Sequence, residues 1–544
     1  MKQFLFIHFV SLLTFSIVTA KPLPKHWHET KGFGTTTKGG LAGEVYKVTT
    51  LNSGGKGSLK DALSKGNRLI VFEIGGVFKT GMSPKNNTTV AGQTAPFPGV
   101  TCIGYLGLGG RDVVVSHVAF QYNGGGDACN VGGSNIVLDH SSVYWGRDET
   151  ITFIGGNDVT LYKSICAEGL QFTGHDDGEH SKGIFMRSPG KTSIIGSMVV
   201  NNALRNPRVD RGTCFLGNHL VYNHGPGWDH QGPKIKSDKE LAGCDQCFTK
   251  VVTGYQGIVT LVGSISLAGP ESSPRAKYFL DGHNTTLTGY VKDNIIKDRE
   301  GNDLFQANTE GEFTGGASGK AGAVTLKDTP PIWPEGYEPL PAHEALYEVL
   351  RTVGPHPGCR NRHAKRLVED VAKGTGKIID SPNEVGGYAD YTPSQPRPLT
   401  NIPDGVEARQ AWLDSMENEI AVDTLLDLSR LYSIVGSRSS DKLIGPPTPI
   451  NNKINQRVEG FGLNIVQRRS RNKQLHVSFT LSTASTVSMN IFDLAGNRII
   501  QQPGKLFIAG SNKIVVNVEN LPVGLYVCRF QIGNTMINKT YNCF

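Results

Sequence analysis

Short apolar segments recur at a nearly regular interval through the first half of the chain. Their closing apolar residues stand at positions 115, 138, 161, 195, 216, 261 and 287, so the steps between them are 23, 23, 34, 21, 45 and 26 residues. Most of these segments are β-branched and apolar, and several are followed by a small or polar corner such as Ser116-His117 or Asp139-His140. A base period of about 22 residues with occasional insertions is typical of a solenoid, whose coils bury their apolar faces only by stacking.

This pattern favours a parallel β-helix over a leucine-rich repeat. Leucine-rich repeats have a similar period, but their Leu-x-x-Leu-x-Leu pattern with a helical half is absent from the sequence. We therefore predict an all-β fold built from stacked coils. The longer insertions, 162–194 and 217–260, should project from one side of the stack, where function tends to collect.

A helical pattern begins after the repeat. Residues 342–351 and 360–373 are predicted to be helical, and Gly374 stands where the second helix needs a cap. Residues 405–435 carry one more helical pattern, in which acidic and apolar residues alternate. Long amphipathic helices remain scarce, so the predicted class stays all-β.

The end of the chain indicates a second, smaller unit. Residues 437–467 include a Gly-Pro-Pro-Thr-Pro run that is typical of a linker, and alternation from Leu475 onward predicts a small antiparallel β-sandwich. The chain of 544 residues also exceeds the roughly 250 to 300 at which a single core stops growing. We therefore expect a signal peptide at 1–20, a parallel β-helix domain at 21–395, a partly helical region and linker at 396–470, and a β-sandwich at 471–544.

The amino-terminal segment is typical of export. Lys2, an apolar stretch over 4–18 and small residues ending at Ala20 follow the order of a secretory signal peptide. A bilayer span needs about 20 clean apolar residues, and no later segment is long and apolar enough. We expect the mature chain to be secreted or attached to the cell surface, with no membrane span.

The net charge of +7 does not identify a substrate. Residues 451–544 hold eleven basic and three acidic residues, so the basic excess belongs to the tail and the rest of the chain is close to neutral. We expect no nucleic-acid partner. The nine cysteines are odd in number, which leaves at least one without an intramolecular partner, and Cys528 with Cys543 could close a short terminal loop.

Two polar runs within the repeat carry the candidate chemistry. One spans 139–149 and ends in Arg-Asp-Glu, and the other is Arg-Asn-Pro-Arg at 205–208. Because the coils of a β-helix stack, carboxylates and guanidinium groups far apart in sequence can meet in one cleft. Clustered carboxylates suit a hard cation such as calcium, and arginines suit carboxylates, so the combination indicates calcium-assisted cleavage of an acidic polysaccharide.

Further motifs occur in order along roughly residues 30–390. They lie at 32–34, 48–52, 57–59, 70–73, 90–96, 127–128, 138–140, 145–149, 205–208, 374–381 and 384–387. In sequence and order they resemble polysaccharide lyase family 1, the pectate lyases. The resemblance implies a right-handed parallel β-helix that cleaves de-esterified polygalacturonate by β-elimination with Ca²⁺, giving 4,5-unsaturated oligogalacturonides.

The resemblance also implies a metal site. Asp127 and Asp148 match the calcium positions of the family, and their separation of 21 residues is about one repeat, as a site shared by neighbouring coils requires. Family members often place another carboxylate four residues after the second position, where this chain has Thr152. Glu149 is the candidate for the missing third ligand.

Cationic residues complete the implied site. Arg205 matches the arginine that takes the C5 proton, although a guanidinium has a reference pKa above about 12 and is ordinarily only a donor. Burial near other cations would disfavour its charged form, so an alkaline optimum is expected. Arg208 and Lys182 would bind uronate carboxylates, and Arg211 is a possible replacement for either.

Other interpretations of the same residues stay open. Asp139-His140 resembles a catalytic pair, but in the family this segment is a buried structural part of the coil, so we predict a core histidine. A non-catalytic polysaccharide-binding β-helix or adhesin would keep the coil and lack the chemistry. A polygalacturonase-type hydrolase would need paired carboxylates and a positioned water.

The tail carries a resemblance of its own. Runs at 493–498 and 521–526 and the strand before Lys539 resemble the carboxy-terminal sorting domains of the bacterial type IX secretion system, over about 75 residues. The implied partner is the secretion machinery, beside the pectin or polygalacturonate substrate. A carbohydrate-binding sandwich is the competing interpretation, although the segment lacks an aromatic platform. We expect the protein to be a monomer.

Overall fold

Three long parallel sheets form the framework of the chain between Glu44 and Leu326 in this computed structural model. The structure describes residues 25–174, 178–209, 212–225, 249–252, 257–272, 280–283, 287–303, 324–418, 420–423, 426–436, 461–468, 474–481, 484–492, 498–518, 521, 524–532 and 535–543. The predicted signal peptide at 1–20 and the candidate Arg211 lie outside these residues. The three sheets are called sheets 1, 2 and 3 below.

A complete coil contributes one strand to each sheet, and the coils at the two ends are incomplete among the described residues. Sheet 1 has eleven strands, at Glu44–Val48, Arg68–Phe72, Thr88–Ala91, Arg111–Ser116, Ser134–Asp139, Asn157–Tyr162, Lys191–Ile195, Gly212–Gly217, Gly257–Val262, Leu287–Lys292 and Val324–Leu326. Sheet 2 has nine, at Gly76–Phe78, Val100–Ile103, Val118–Gln121, Ser142–Tyr144, Ile165–Ala167, Met198–Val200, Leu220–Tyr222, Ile265–Leu267 and Ile295–Lys297. Sheet 3 has seven, at Leu106–Leu108, Cys129–Val131, Glu149–Phe153, Lys182–Met186, Arg208–Val209, Thr249–Val252 and Leu280–His283. This arrangement is a parallel β-helix, which confirms the predicted fold class.

Stacked apolar side chains fill the interior of the coils. In sheet 1 the successive register partners Val115, Leu138, Leu161, Ile194, Leu216 and Leu261 are all buried in one core cluster. Burying a Val, Leu or Ile side chain contributes roughly 1.5 to 3 kcal/mol. The repeat seen in the sequence is therefore the repeat of this core.

The register corrects two positions of the predicted repeat. Ile194 pairs with Leu161, so the inward residue of that coil is 194 and not 195. Leu261 pairs with Val291, so the inward residue there is 291 and not 287. Adjacent apolar residues such as Ile194 and Ile195 hide which one faces inward, because the side-chain period of a strand is two.

The predicted insertions are partly regular coil. Residues 162–194 contain the strands Ile165–Ala167 and Lys182–Met186, and 217–260 contain Leu220–Tyr222 and Thr249–Val252. These strands belong to sheets 2 and 3. The expectation that both insertions project as a whole is therefore wrong, because each coil turns through three strands and the alignment had followed only one.

One residue per coil turns the chain from sheet 1 into sheet 2. These corner residues have left-handed backbone, with φ of 56° at His117, 38° at His140, 42° at Lys163, 58° at Gly196 and 51° at Asn218. Gly and Asn adopt this conformation readily, whereas Lys does so rarely. The small or polar corners expected after the apolar segments are present.

A short helix at Leu59–Ala62 and a 3₁₀ turn at Gly92–Thr94 lie between the first strands of the β-helix. The other described helices follow the β-helix in the chain, at Ala342–Thr352, Arg362–Lys373, Val406–Asn418 and Ser429–Val435, with 3₁₀ turns at Pro357–Cys359 and Pro382–Val385. The helix that begins at Arg362 ends as predicted, at Gly374, whose φ is 72° and whose N–H reaches Asp370 O and Val371 O. The pattern over 405–435 forms two helices rather than one.

Other segments cover the outer faces of sheets 1 and 2. Leu346 and Leu367, from the helices Ala342–Thr352 and Arg362–Lys373, join one apolar cluster with outward residues of sheet 2 such as Tyr222. Trp27 and Tyr337 cover outward residues of sheet 1. The outward residues of sheet 3 are instead mainly polar or charged, so this sheet offers the face on which a site can lie.

An antiparallel sandwich ends the chain. One sheet contains Phe461–Arg468, Gln474–Leu481 and Gly510–Asn517, and the other contains Arg498–Phe507, Ser485–Phe492, Gly524–Ile532 and Thr535–Cys543. Alternate buried residues of both sheets form one core, which confirms the predicted sandwich. The strand Phe461–Arg468 pairs with the next strand, so the sandwich begins inside the segment that we expected to be linker.

The suggested bridge between Cys528 and Cys543 is wrong. Cys528 is a free, buried thiol. In the register of the two neighbouring strands Cys528 lies opposite Lys539, and Cys543 lies opposite Gly524. The two cysteines are therefore several residues out of register.

Within the described residues, none of the helices is long and apolar enough to cross a membrane.

Candidate active site on sheet 3

Backbone hydrogen bonds between neighbouring coils bring the candidate acidic residues together. Asp127 precedes the strand Cys129–Val131, and Glu149 begins the next strand of sheet 3. Ala128 N donates to Glu149 O over 3.0 Å, and Glu149 N donates to Asp127 Oδ1 over 3.2 Å. One carboxylate oxygen from each of Asp127, Asp148 and Glu149 lies within 4.8 Å of the others. We call these three residues the acidic trio.

Thr152 and Asn130 lie beside the trio. They are register partners on sheet 3. Burial raises the pKa of Asp127 and the charge of Asp148 adds to this, while the neighbouring polar groups of Thr152 and Asn130 oppose it. Thr152, which stands where a carboxylate was expected, therefore contributes a hydroxyl to the edge of the trio.

Asp148 has the opposite electrostatic environment. Its Oδ1 lies 3.1 Å from His180 Nε2 and 3.0 Å from Lys182 Nζ. The hydrogen bond from His180, against the effect of burial and together with Lys182, holds the pKa of Asp148 well below its ordinary value. No sequence motif assigns a role to His180, and the structure places it against the candidate metal ligand Asp148.

Cations face the same carboxylates. Lys182 is the register partner of Glu149 and lies, almost fully buried, 3.9 Å from Glu149 Oε1. Arg205 Nη1 forms an ion pair with the same Glu149 Oε1. The structure therefore brings together five of the predicted site residues at one end of sheet 3, namely Asp127, Asp148, Glu149, Lys182 and Arg205.

Arg205 sits on a loop that crosses sheet 3 closely. Its φ is 60°, and its carbonyl oxygen accepts from Ile184 N. The approach needs a glycine, because a Cβ on Gly183 would stand 2.8 Å from Arg205 O and 2.8 Å from Asn206 Oδ1. The next residues, Arg208–Val209, form the short strand that pairs with Phe185 and Met186.

Three guanidinium groups lie close to the ring of Phe185. The Cζ atoms of Arg205, Arg187 and Arg208 lie 4.6, 5.0 and 5.3 Å from the ring centroid. Such distances favour cation–π attraction. The sequence did not single out Phe185 or Arg187, and only the outward direction of Phe185 on its strand reveals this contact.

The donor set of the trio fits a hard divalent cation. Three carboxylates offer oxygen ligands, and calcium binds about six to eight oxygens. The Oδ1 atom of Asn130 is buried and has no hydrogen-bond partner among the described residues, so a neutral oxygen is also at hand. Asp127, Asp148 and Glu149, with Asn130 beside them, are the residues that would hold calcium.

A second group of acidic and histidine side chains lies far from sheet 3's outer face. His117, Asp139, His140 and Glu417 are fully buried, with candidate ligand atoms within 4.8 Å of one another. His117 Nδ1 accepts from the backbone N–H of a neighbouring loop residue, His356, over 3.3 Å. The neutral ring therefore carries its proton on Nε2, which leaves no lone pair there for a metal.

Hydrogen bonds and charge instead organise this group, which we call the corner cluster. His140 Nδ1 lies 2.7 Å from Asp139 Oδ1, as a buried structural histidine predicts. Glu417, from the helix Val406–Asn418, reaches His26 Nδ1 at 3.2 Å and His117 Nε2 at 3.6 Å. The cluster joins the coil corners, the first described residues and a late helix.

The fold is that of the parallel β-helix proteins, and relatives of known name extend the comparison. The chain is 31% identical over 419 residues to the probable pectate lyase C of Emericella nidulans, which covers 74% of this chain and 89% of that protein. It is 30% identical over 405 residues to the probable pectate lyase C of Aspergillus terreus, covering 72% and 87%. The chain belongs to the pectate lyase family and is an enzyme, not a solenoid that has lost its chemistry.

Solved structures and a family model add two further likenesses. Pectate lyase II of Xanthomonas campestris covers 61% of this chain and 99% of its own at 12% identity and a TM-score of 0.31. A pectate lyase from Bacillus sp. N165 in complex with trigalacturonate covers 59% and 98% at 12% identity and a TM-score of 0.37. Both likenesses are remote. Residues 471–541 match the secretion system C-terminal sorting domain.

Proposed function

We propose that this enzyme is an exported, calcium-dependent pectate lyase that cleaves de-esterified homogalacturonan by β-elimination. The observation that carries the proposal is the acidic trio with Lys182 and Arg205 against the same carboxylates. A hydrolase would need one carboxylic acid, one carboxylate and room for a water between them. A trio of acids paired with cations suits a metal and an anionic sugar better.

The reaction removes a proton from C5 of a galacturonate and breaks the bond from C4 to the glycosidic oxygen. The C5 proton is poorly acidic while the neighbouring carboxylate keeps its full charge. Bound calcium would neutralise that carboxylate and hold it against the protein. The departing glycosidic oxygen takes a proton from water and becomes the new reducing end, and the other product carries a 4,5-unsaturated uronide.

Residues of this chain take the remaining roles in the proposal. Arg205, which pairs with Glu149 of the acidic trio, accepts the C5 proton. Lys182 and Arg208 bind uronate carboxylates, Arg208 with the paired N–H groups that suit them. Arg211 keeps its candidate role as a further uronate ligand, and it lies outside the described residues.

The domain boundaries and the export route belong to the same proposal. The β-helix with the loop segments to about 395 carries the chemistry, a helical segment and linker follow, and the sandwich is the sorting or attachment unit. Its match to a sorting domain supports delivery outside the cell by a bacterial secretion system.

Ultraviolet absorbance of the products tests the proposal. Unsaturated uronides absorb, whereas hydrolysis gives reducing ends without absorbance. We expect absorbance on polygalacturonate in calcium and none in excess chelator. Arg205→Lys should lower kcat by at least about a hundredfold, because a lysine cannot take the position of the guanidinium at the C5 proton.

Arg187→Lys is the matched control for this experiment. Arg187 is exposed and contacts the same Phe185 ring, so the change removes an equivalent guanidinium without touching the proposed base. Its kcat should stay within about threefold of the wild type. Equal activity of Arg205→Lys and wild type would remove Arg205 as the base.

A further inference from the structure

The cations assigned to the substrate are already engaged with the assigned metal ligands. Lys182 Nζ lies 3.0 Å from Asp148 Oδ1 and 3.9 Å from Glu149 Oε1, and Arg205 pairs with that same Glu149 oxygen. The groups proposed to bind and deprotonate the sugar therefore neutralise the acidic trio.

Glu149 is the residue that both cations share. Its side chain is 6% exposed, and those of Lys182 and Arg205 are 6% and 10% exposed. Charges screened so little from one another interact strongly. Three carboxylates at this spacing repel unless a cation lies among them, so Lys182 and Arg205 stabilise the trio when no divalent ion does.

The same contacts conflict with a filled metal site. If Glu149 Oε1 ligates a divalent cation, the Arg205 and Lys182 charges at that oxygen meet like charge. The pairing with Glu149 also holds the guanidinium of Arg205 at the acidic trio.

This inference rests on the proposed calcium-assisted function. We propose that Glu149 is a positioning residue with two alternative partners, Arg205 in the metal-free enzyme and calcium in the loaded enzyme. Loading then releases Arg205 and Lys182 from the trio toward the uronates. The metal-free enzyme holds its own substrate-binding cations in internal ion pairs.

The ring of Phe185 can hold the guanidinium of Arg205 by a cation–π contact when the ion pair with Glu149 is broken. Its ring is outward on sheet 3, opposite Arg208 in the register, and both Arg205 and Arg208 lie over it. A cation–π contact leaves the N–H edge of a guanidinium available to a ligand. Arg205 would thus remain beside Arg208, over the ring of Phe185, when Glu149 binds the metal.

Binding measurements without turnover distinguish this proposal from a site in which Glu149 keeps the same partner in both states. Calcium affinity is measured by calorimetry, and trigalacturonate affinity is measured in excess chelator. Glu149→Gln keeps the shape of the side chain and removes its charge. It should lower the affinity for calcium at least about tenfold and raise the affinity for trigalacturonate in excess chelator by roughly threefold to tenfold. The two affinities move in opposite directions.

Asp127→Asn is the matched control within the trio. The charge of Arg205 acts on Asp127 less than Thr152, Asn130 and Asp148 do. This variant should therefore also lower the affinity for calcium, but it should change the affinity for trigalacturonate in excess chelator by less than about twofold. Equal tightening in both variants, or none in Glu149→Gln, overturns the alternative-partner proposal.

A double-mutant cycle gives an independent readout from stability. Thermal unfolding of wild type, Glu149→Gln, Arg205→Gln and the double variant is followed in chelator and in saturating calcium. The Glu149–Arg205 coupling should be present in chelator and vanish in calcium. Coupling of equal size in both conditions contradicts the proposal, whereas a wild type that does not bind calcium contradicts the proposed function itself.

Discussion

Glu149 and Lys182 stand directly opposite each other on adjacent strands of sheet 3. A carboxylate assigned to the metal and an ammonium group assigned to the substrate thus lie side by side. Further along the same two strands Thr152 lies opposite Phe185, and on the next strand Arg208 lies opposite Phe185. At this end of sheet 3 the candidate metal ligands therefore lie beside the candidate substrate ligands.

Phe185→Leu should impair the reaction without affecting the metal. Leucine keeps the side chain buried but offers no π face to Arg205 and Arg208, so both lose their position. We expect kcat to fall roughly tenfold and KM to rise, while calcium affinity measured by calorimetry stays unchanged.

The control for Phe185 is Phe120→Leu, which makes the same change in the interior of the coils. It should lower the melting temperature and leave kcat intact. If the two variants lose stability alike and neither loses kcat, the ring of Phe185 is only structural.

Gly183→Ala should displace the loop that carries Arg205. The added Cβ would meet Arg205 O and Asn206 Oδ1, each at 2.8 Å, which is closer than real contacts allow. Because a shift of about 1 Å in a catalytic group can cost a hundredfold, we expect kcat to fall at least tenfold in the absorbance assay.

Gly109→Ala is the matched glycine control. Gly109 follows a strand of the same sheet, and an added Cβ meets no atom within 4 Å. Its activity should equal that of the wild type. Full activity of Gly183→Ala would show that the Arg205 loop tolerates displacement and would weaken its assigned role.

The corner cluster should make stability fall at alkaline pH. Burial disfavours a charged His26, but the hydrogen bond that His26 donates to Glu417 and the charges of Glu417, Asp414 and Asp139 outweigh it and raise the pKa of His26 from 6.5 to about 9. A raised pKa in the folded state contributes stability that is complete below pH 6.5 and is lost as the pH rises through about 9.

Melting temperatures across that alkaline range measure the effect. His26→Gln should flatten the fall, because the ion pair with Glu417 is no longer there to lose. His343→Gln, at a largely exposed histidine, should leave the wild-type pH profile unchanged. Identical profiles for all three proteins would exclude His26 as the titrating group.

The sequence predicts the coil and its acidic trio because both follow the repeat. Asp127 and Asp148 are about one period apart, and stacking alone places them side by side. The inward register at 194 and 291 was not predictable, since consecutive apolar residues fit either face of a strand. Pairing between coils decides it, and that information is not local.

Contacts made by residues outside the repeat could not be predicted from the sequence pattern either. His180 lies in an extra segment of one coil, so no period relates it to Asp148. Glu417 meets His117 from a helix hundreds of residues away, and no motif marks it. The position of Phe185 within the apolar run Gly-Ile-Phe-Met hides that its ring faces outward among arginines.

The most direct test of the account titrates calcium into chelator-treated enzyme on polygalacturonate while product absorbance is followed, with Asp127→Asn alongside. We predict that wild-type absorbance appears only with calcium and saturates, and that Asp127→Asn needs at least about tenfold more calcium for the same rate. Full absorbance in excess chelator, or reducing ends without absorbance, would contradict a lyase that depends on a metal held by this trio.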